Sequence, residues 1–142
     1  MMIVLDNQTI YKIDIDFLEQ ILASLSLQEV ELTLCHNTYI QELNREHRDK
    51  DTATDVLSFP LVVDFDFMPL GSLVINWDRA SEVAEALGHS VDEEISLLFI
   101  HGLLHLLGYD HEVDEGEMRA KEVEIIEEFK LPSSLIVRTQ ES

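Results

Sequence analysis

"HGLLHLLGYDH", residues 101–111, decides how the rest of the chain is read. Two histidines, His101 and His105, stand in an otherwise apolar run from Ile95 to Leu107. That run is too short to cross a bilayer and is expected to be a buried helix. Residues four apart on a helix are separated by about 40° around the axis and about 6 Å along it, so both imidazoles can reach one ion. His111 could not join them if the helix continued. Gly108 removes that obstacle, because glycine adopts the left-handed conformation that ends helices and lets the chain turn back. Helix, break and returning histidine describe a three-histidine metal site with a fourth position for water, the pattern of catalytic sites. The competing reading is a buried helix with incidental histidines, each satisfied by a backbone carbonyl. Two histidines on one apolar helix and a third behind the break favour the metal. Imidazole suits zinc, and residue types alone leave nickel, copper and iron open.

In the zinc-peptidase pattern H-E-x-x-H, the glutamate after the first histidine is the general base. Here Gly102 occupies that place. A helical glycine costs about 1 kcal/mol relative to alanine. Its missing side chain is expected to leave room for substrate or for close packing. Any base must come from elsewhere. Asp110 and Glu112 are near in sequence, and either could instead hold a histidine ring from behind.

Outward from this helix, Ser90 and Glu93 form a capping-box pattern at its start. After Gly108 an acidic amphipathic helix carries Met118, Ile125, Ile126 and Phe129 on its apolar face. Upstream, "IVL" near the start is a short strand. "DIDFLEQILASL" (14–25) has helical periodicity with Asp14 as N-cap, and "EVELTLCH" (29–36) alternates as a half-buried strand. Asn37 is expected to cap a helix reaching about Arg45. "TDVLSFP" (54–60) and "GSLVIN" (71–76) are two strands joined by an irregular loop with Asp64, Asp66 and Pro69. Asp78 is expected to cap a short helix that Gly88 ends. Strands and helices mix without a clean βαβ alternation. The expected fold is α+β: a small mixed β-sheet packed with helices, one of them a zincin-like metal-binding helix, in a single domain over 1–142.

The chain has 142 residues, enough for one core, and 46% of them are hydrophobic, which excludes wholesale disorder. Cys35 is the one cysteine, so no intramolecular disulfide forms, in keeping with a reducing cytoplasm. The start lacks a basic segment followed by a long apolar run, so neither a signal peptide nor a membrane partner is expected. The net charge of −20 argues against nucleic acid when taken alone. Yet Arg45, His47, Arg48 and Lys50 cluster within six positions. A solvated helix end, whose dipole favours cations, accounts for them as well as a phosphate site does.

"HGLLHLLGYDH" resembles the H-G-x-L-H-L-x-G-Y-D-H signature of the YbeY endoribonuclease family. "LNREHRDKDTATDVLSFP" (43–60) is similar to that family's L-N-x-x-Y-R-x-K-D-x-P-T-D-V-L-S-F-P, and "GSLVI" (71–75) to its G-D-L/I-V-I. The resemblance implies a metal-dependent nuclease for single-stranded RNA, working at the 3′ end of small-subunit ribosomal RNA and in ribosome quality control. It implies one zinc ion per chain on His101, His105 and His111. It also implies a functional arginine at Arg48, which with His101 is the expected catalytic pair. Asp55, Ser58 and Asp110 are candidates to line the cleft or support the ligands. Ribosomal RNA, the small subunit and its assembly factors are the expected partners. The chain departs from the pattern at His47 (tyrosine), Ala53 (proline) and Ser72 (aspartate).

Arg48 suits phosphate because its planar guanidinium grips two oxygens and stabilises transition-state charge. A metallopeptidase or amidohydrolase with a base outside the histidine motif is the first rival. The second is a non-catalytic ribosome-assembly factor whose metal stabilises the fold. Remaining residues get plain readings: Cys35 in a strand, Trp77 in the core or stacked on a base, His36 and His89 at the surface or in loops, and Asp49, Lys50 and Asp51 framing the loop beside Arg48.

Overall fold

The computed structural model describes residues 2–61, 69–109 and 116–132. In chain order the elements are β1 (Ile3–Asn7), α1 (Ile15–Leu25), β2 (Val30–Cys35), α2 (Asn37–Arg48), β3 (Val56–Pro60), β4 (Gly71–Asn76), α3 (Trp77–Leu87), α4 (Val91–Leu106) and α5 (Glu117–Glu128). The strands form one mixed sheet in the order β1-β2-β4-β3. β1, β2 and β4 run parallel, and β3 returns antiparallel along β4 as an edge strand. The fold is α+β, as the pattern of elements predicts.

Strand alternation sends side chains to two different layers. Leu32 of β2 and Leu73 of β4 pair in register and join the main core, which is built around α4. Val74, one residue on, faces the other way and packs with Cys35, Ile40 and Leu57 under α2. α4 is buried on nearly every side, from Ile95 to Leu106, and packs against both β3 and β4. Each fully buried Leu, Ile or Phe there contributes about 1.5–3 kcal/mol. This anchors the histidine-bearing helix in the middle of the fold.

Asp14 caps α1, accepting from Phe17 N–H, and Ser90 with Glu93 forms both arms of the capping box on α4. Two other caps differ from expectation. α2 runs on to Arg48, and Asn37 lies inside it, where its side-chain oxygen accepts from Asn76 and its N–H donates to Asp78 Oδ2. Asn76, rather than Asp78, caps α3, accepting from the N–H groups of Asp78 and Arg79. The two helices start side by side: α3 is capped by the residue that precedes it, while the first N–H of α2 is taken by Asp78 of α3.

Gly108 has φ +103, and Gly108 N–H and Tyr109 N–H fold back onto the carbonyls of His105 and Leu104. The helix therefore breaks at the expected glycine. His89 lies in the α3–α4 loop, one of the two expectations for it, but its ring is not at the surface. Its side chain is 2% exposed and its Nε2 lies 2.8 Å from Glu94 Oε1, itself fully buried. It is an interior residue because the α3–α4 turn folds it under the start of α4, instead of leaving it at the surface. Trp77 packs against the core with its indole edge near Tyr11 and His36.

Candidate active site

His101 and His105 lie side by side on the last turns of α4, their ring centres 4.9 Å apart. Both are half-buried. Each ring is held through Nδ1. His101 Nδ1 meets Glu122 Oε1 at 2.7 Å, and His105 Nδ1 meets the Tyr109 carbonyl at 3.1 Å. Both partners are acceptors, so each neutral imidazole carries its proton on Nδ1 and presents the lone pair of Nε2. That is the tautomer a metal ligand needs, and a carboxylate or carbonyl behind the ring is how such ligands are oriented. The donor set therefore fits a divalent, imidazole-preferring metal such as zinc.

Glu122 is absent from the expectations above. It comes from α5 and is 3% exposed. The signal was an acidic residue inside the apolar stripe that Met118, Ile125 and Ile126 form. Asp110, His111 and Glu112 lie outside the described residues. Among the described residues no cluster of three or more potential ligands is assembled.

Gly102 is explained by packing. A Cβ at this position would meet Leu73 Cδ2 at 2.7 Å, Ser58 Oγ at 3.2 Å and Val56 Cγ2 at 3.4 Å. The helix lies that close to β3 and β4, so of the two expectations for the glycine, close packing is the one observed. A glutamate there would collide with the sheet, which leaves no place for the peptidase base.

The same contact ties Arg48 to the histidine helix. Ser58 Oγ donates to the Gly102 carbonyl at 3.3 Å, and the Ser58 carbonyl accepts from Arg48 Nη2 at 3.0 Å. Arg48, at the end of α2, thus reaches around the free edge of β3 and is joined through one residue to the peptide beside His101. Its Cζ lies 5.9 Å from the Phe59 ring centre, within cation–π range, and the His47 ring is 5.2 Å from the same ring.

The loop behind Arg48 is tied down. Asp49 takes the left-handed conformation that closes α2 (φ 57), Asn44 donates to the Thr52 carbonyl, and Gln41 donates to Asp51. Ser58 thus bonds to both Arg48 and the Gly102 peptide. Asp55 sits at the far end of β3, where its carbonyl accepts from Asn76 N–H. Ser72 faces the layer opposite α4 and donates to Glu31 Oε2 at 3.0 Å. The sequence departure at Ser72 therefore falls on the α2 face of the sheet, beside Phe59, its partner across the strands.

Comparison with known proteins agrees with the geometry. Residues 3–130 match the family model described as Endoribonuclease YbeY. An Endoribonuclease YbeY from Sulfurovum sp. (strain NBC37-1) is 60% identical over 139 residues, covering 94% of this chain and 95% of that one. Its counterpart in Nautilia profundicola is 59% identical, covering 99% of this chain and 100% of the relative. The solution structure of TM1509 from Thermotoga maritima is similar with a TM-score of 0.63 at 28% identity, over 90% of this chain and 89% of that one.

Proposed function

The chain belongs to the endoribonuclease YbeY family and is an endoribonuclease; from that premise we propose that it is a zinc-dependent nuclease cutting single-stranded ribosomal RNA, near the 3′ end of the small-subunit molecule. His101, His105 and His111 hold one zinc ion, and Arg48 holds the phosphate. The observation that supports this most directly is the chain of contacts Arg48–Ser58–Gly102, which ties a phosphate-binding guanidinium to the histidine helix.

When bound, zinc supplies positive charge to a phosphoryl oxygen and lowers the pKa of water to about 7. The protein groups do the rest. Glu122 keeps the proton of His101 on Nδ1, and the Tyr109 carbonyl does the same for His105. Arg48 uses one of its five N–H donors on Ser58, which fixes the plane of the guanidinium and leaves other donors for phosphate oxygens. Neutralising charge on the phosphoryl group as it reacts is the largest contribution expected of such a residue. Asp110 is assigned a supporting role beside His111.

The net charge of −20 sets a limit on the affinity for RNA away from this basic edge. A basic partner on the small ribosomal subunit, or an assembly factor, supplies the missing affinity in this reading, which places the protein in the cytoplasm. Among the described residues no helix is long and apolar enough to cross a membrane.

The test is cleavage of a labelled single-stranded RNA by zinc-loaded protein beside Arg48→Ala and His105→Ala, with and without chelator. Loss of cleavage by about a hundredfold or more is expected in both variants and on chelation. Equal cleavage by all three proteins would refute the assignment.

A further inference from the structure

The sheet carries a second feature beside Arg48, on the face away from the histidines. Phe59, Ser72 and Glu31 are register partners on three adjacent strands, β3, β4 and β2, and so form one row on one face. α2 ends at Arg48, and in this row Glu31 is exposed and Phe59 and Ser72 are partly exposed. With Pro60, Leu61, Pro69 and Gly71 the row lines a cavity of about 260 Å³. Its wall is an aromatic ring and two prolines. Its floor is a hydrogen-bonded hydroxyl and carboxylate, Ser72 Oγ on Glu31 Oε2 at 3.0 Å.

A carboxylate here repels the phosphate chain, so the cavity does not suit backbone. It suits a flat, largely apolar group with hydrogen-bond donors on its rim. Phe59 joins the two features, since the ring that lines the cavity also lies under the Arg48 guanidinium. A strand whose phosphate sits on Arg48 has its neighbouring nucleoside within reach of this ring.

We propose that this cavity is a nucleobase subsite, in which Phe59 stacks the base next to the phosphate held by Arg48 while Glu31 and Ser72 read its edge. This rests on the nuclease reading of the same cleft and adds what the cleft selects. Stacking on the ring tolerates any base. The carboxylate accepts from amino and imino hydrogens, so bases with exocyclic amino groups or a ring N–H facing it are preferred over a base edge made of acceptors. Where the family pattern has an aspartate, Ser72 contributes a hydroxyl that can turn from Glu31 to the base and both donate and accept. A second carboxylate at that position would only accept.

The full-length protein is titrated with short single-stranded RNAs carrying 2-aminopurine at successive positions, and fluorescence quenching is read without any need for cleavage. Quenching centred on one position is expected. Phe59→Leu, which keeps an apolar side chain in place, is expected to weaken binding about tenfold. Glu31→Gln is expected to change the base preference at that position and leave the fold intact, since the side chain is exposed. Removing the base at that position with an abasic residue is expected to match Phe59→Leu. Quenching and affinity unchanged in Phe59→Leu, or an abasic RNA bound as tightly as the intact one, overturns the subsite. If Arg48→Ala still abolishes binding in that case, the nuclease reading survives and the subsite alone fails. If Arg48→Ala binds and cleaves normally, both fall.

Discussion

Glu122 and His101 meet at 2.7 Å across the contact between α5 and α4, the carboxylate buried and the ring only partly so. The pair makes an interior acid the fixed reference for the orientation of the His101 ring. Partners of this kind are worth about ten- to a hundredfold in metal affinity. Glu122→Ala is expected to weaken zinc binding by that amount, read by competition with a chromophoric chelator, with helical circular dichroism retained. Glu122→Gln, whose side-chain oxygen can still accept from Nδ1–H, is expected to lose less. Equal zinc affinity in wild type and Glu122→Ala would remove the carboxylate from the site.

Gly102 should not tolerate even one carbon. Its Cβ would sit 2.7 Å from a methyl of Leu73, a residue with no exposed surface. Alanine gains about 1 kcal/mol in helix propensity, whereas overpacking a core costs about 1–3 kcal/mol. Gly102→Ala is therefore expected to lose about 1 kcal/mol in urea denaturation. Gly102→Glu, which restores the peptidase pattern, is expected to lose far more and to show no peptidase activity. A stable Gly102→Glu protein would mean that the helix and sheet are less closely fitted than described.

Cys35 should be chemically silent in the native protein. Burial, with the negative charge of Asp78 adding to it, pushes its thiol up to about 12. The thiolate is the reactive form, so iodoacetamide at pH 8.5 is expected to label the unfolded chain and spare the folded one. Linkage gives a second reading. A folded-state value above the unfolded one contributes stability that is complete below the unfolded pKa, about 8.5, and is lost as pH rises toward 12. The stability difference between wild type and Cys35→Ala should shift against the wild type between pH 8 and pH 11. Rapid labelling of native protein would contradict the burial.

Asp78 works at the acid end. Burial alone would raise its pKa, but the Asn37 N–H and the His36 ring outweigh it and hold the carboxyl below its ordinary range. A lowered folded value contributes stability above the unfolded pKa, about 3.9, that is lost as pH falls through the folded value. Asp78→Asn keeps an oxygen for Asn37 N–H and removes the charge. Its urea midpoint is expected to lie below wild type at pH 7 and to approach it near pH 3. A constant gap across that range would show that charge is not what Asp78 contributes.

Local patterns in the chain were readable wherever one residue's neighbours in sequence are also its neighbours in space. The α4 capping box, the Gly108 break and the alternation of Val30, Leu32 and Leu34 are of this kind. The start of α2 was not, because Asp78 accepts from Asn37 N–H, a partner 41 positions away that only the parallel β2–β4 pairing brings close. The α3 cap, Asn76, is local, and Asp78 was the wrong choice between two neighbouring candidates. Gly102 was visible as an anomaly, yet its reason lies in Leu73 and Ser58, on other strands. Glu122 was hidden for the same reason: 21 positions separate it from His101. His89 is the turn residue its neighbours suggest, but nothing local reveals that the turn folds its ring inward onto Glu94.

The placement of Glu122 has a consequence for synthesis. Chains fold from the N-terminus as they are made. His101, His105, Arg48 and Ser58 all precede residue 117, but the carboxylate that orients His101 arrives on α5. A nascent chain stalled before α5 carries Arg48 and the histidine helix, with no acid behind His101. The last described helix therefore completes the surroundings of His101, and a product truncated before it lacks the carboxylate that orients this ring. The order of the elements along the chain makes the setting of the His101 ring one of the last contacts to form.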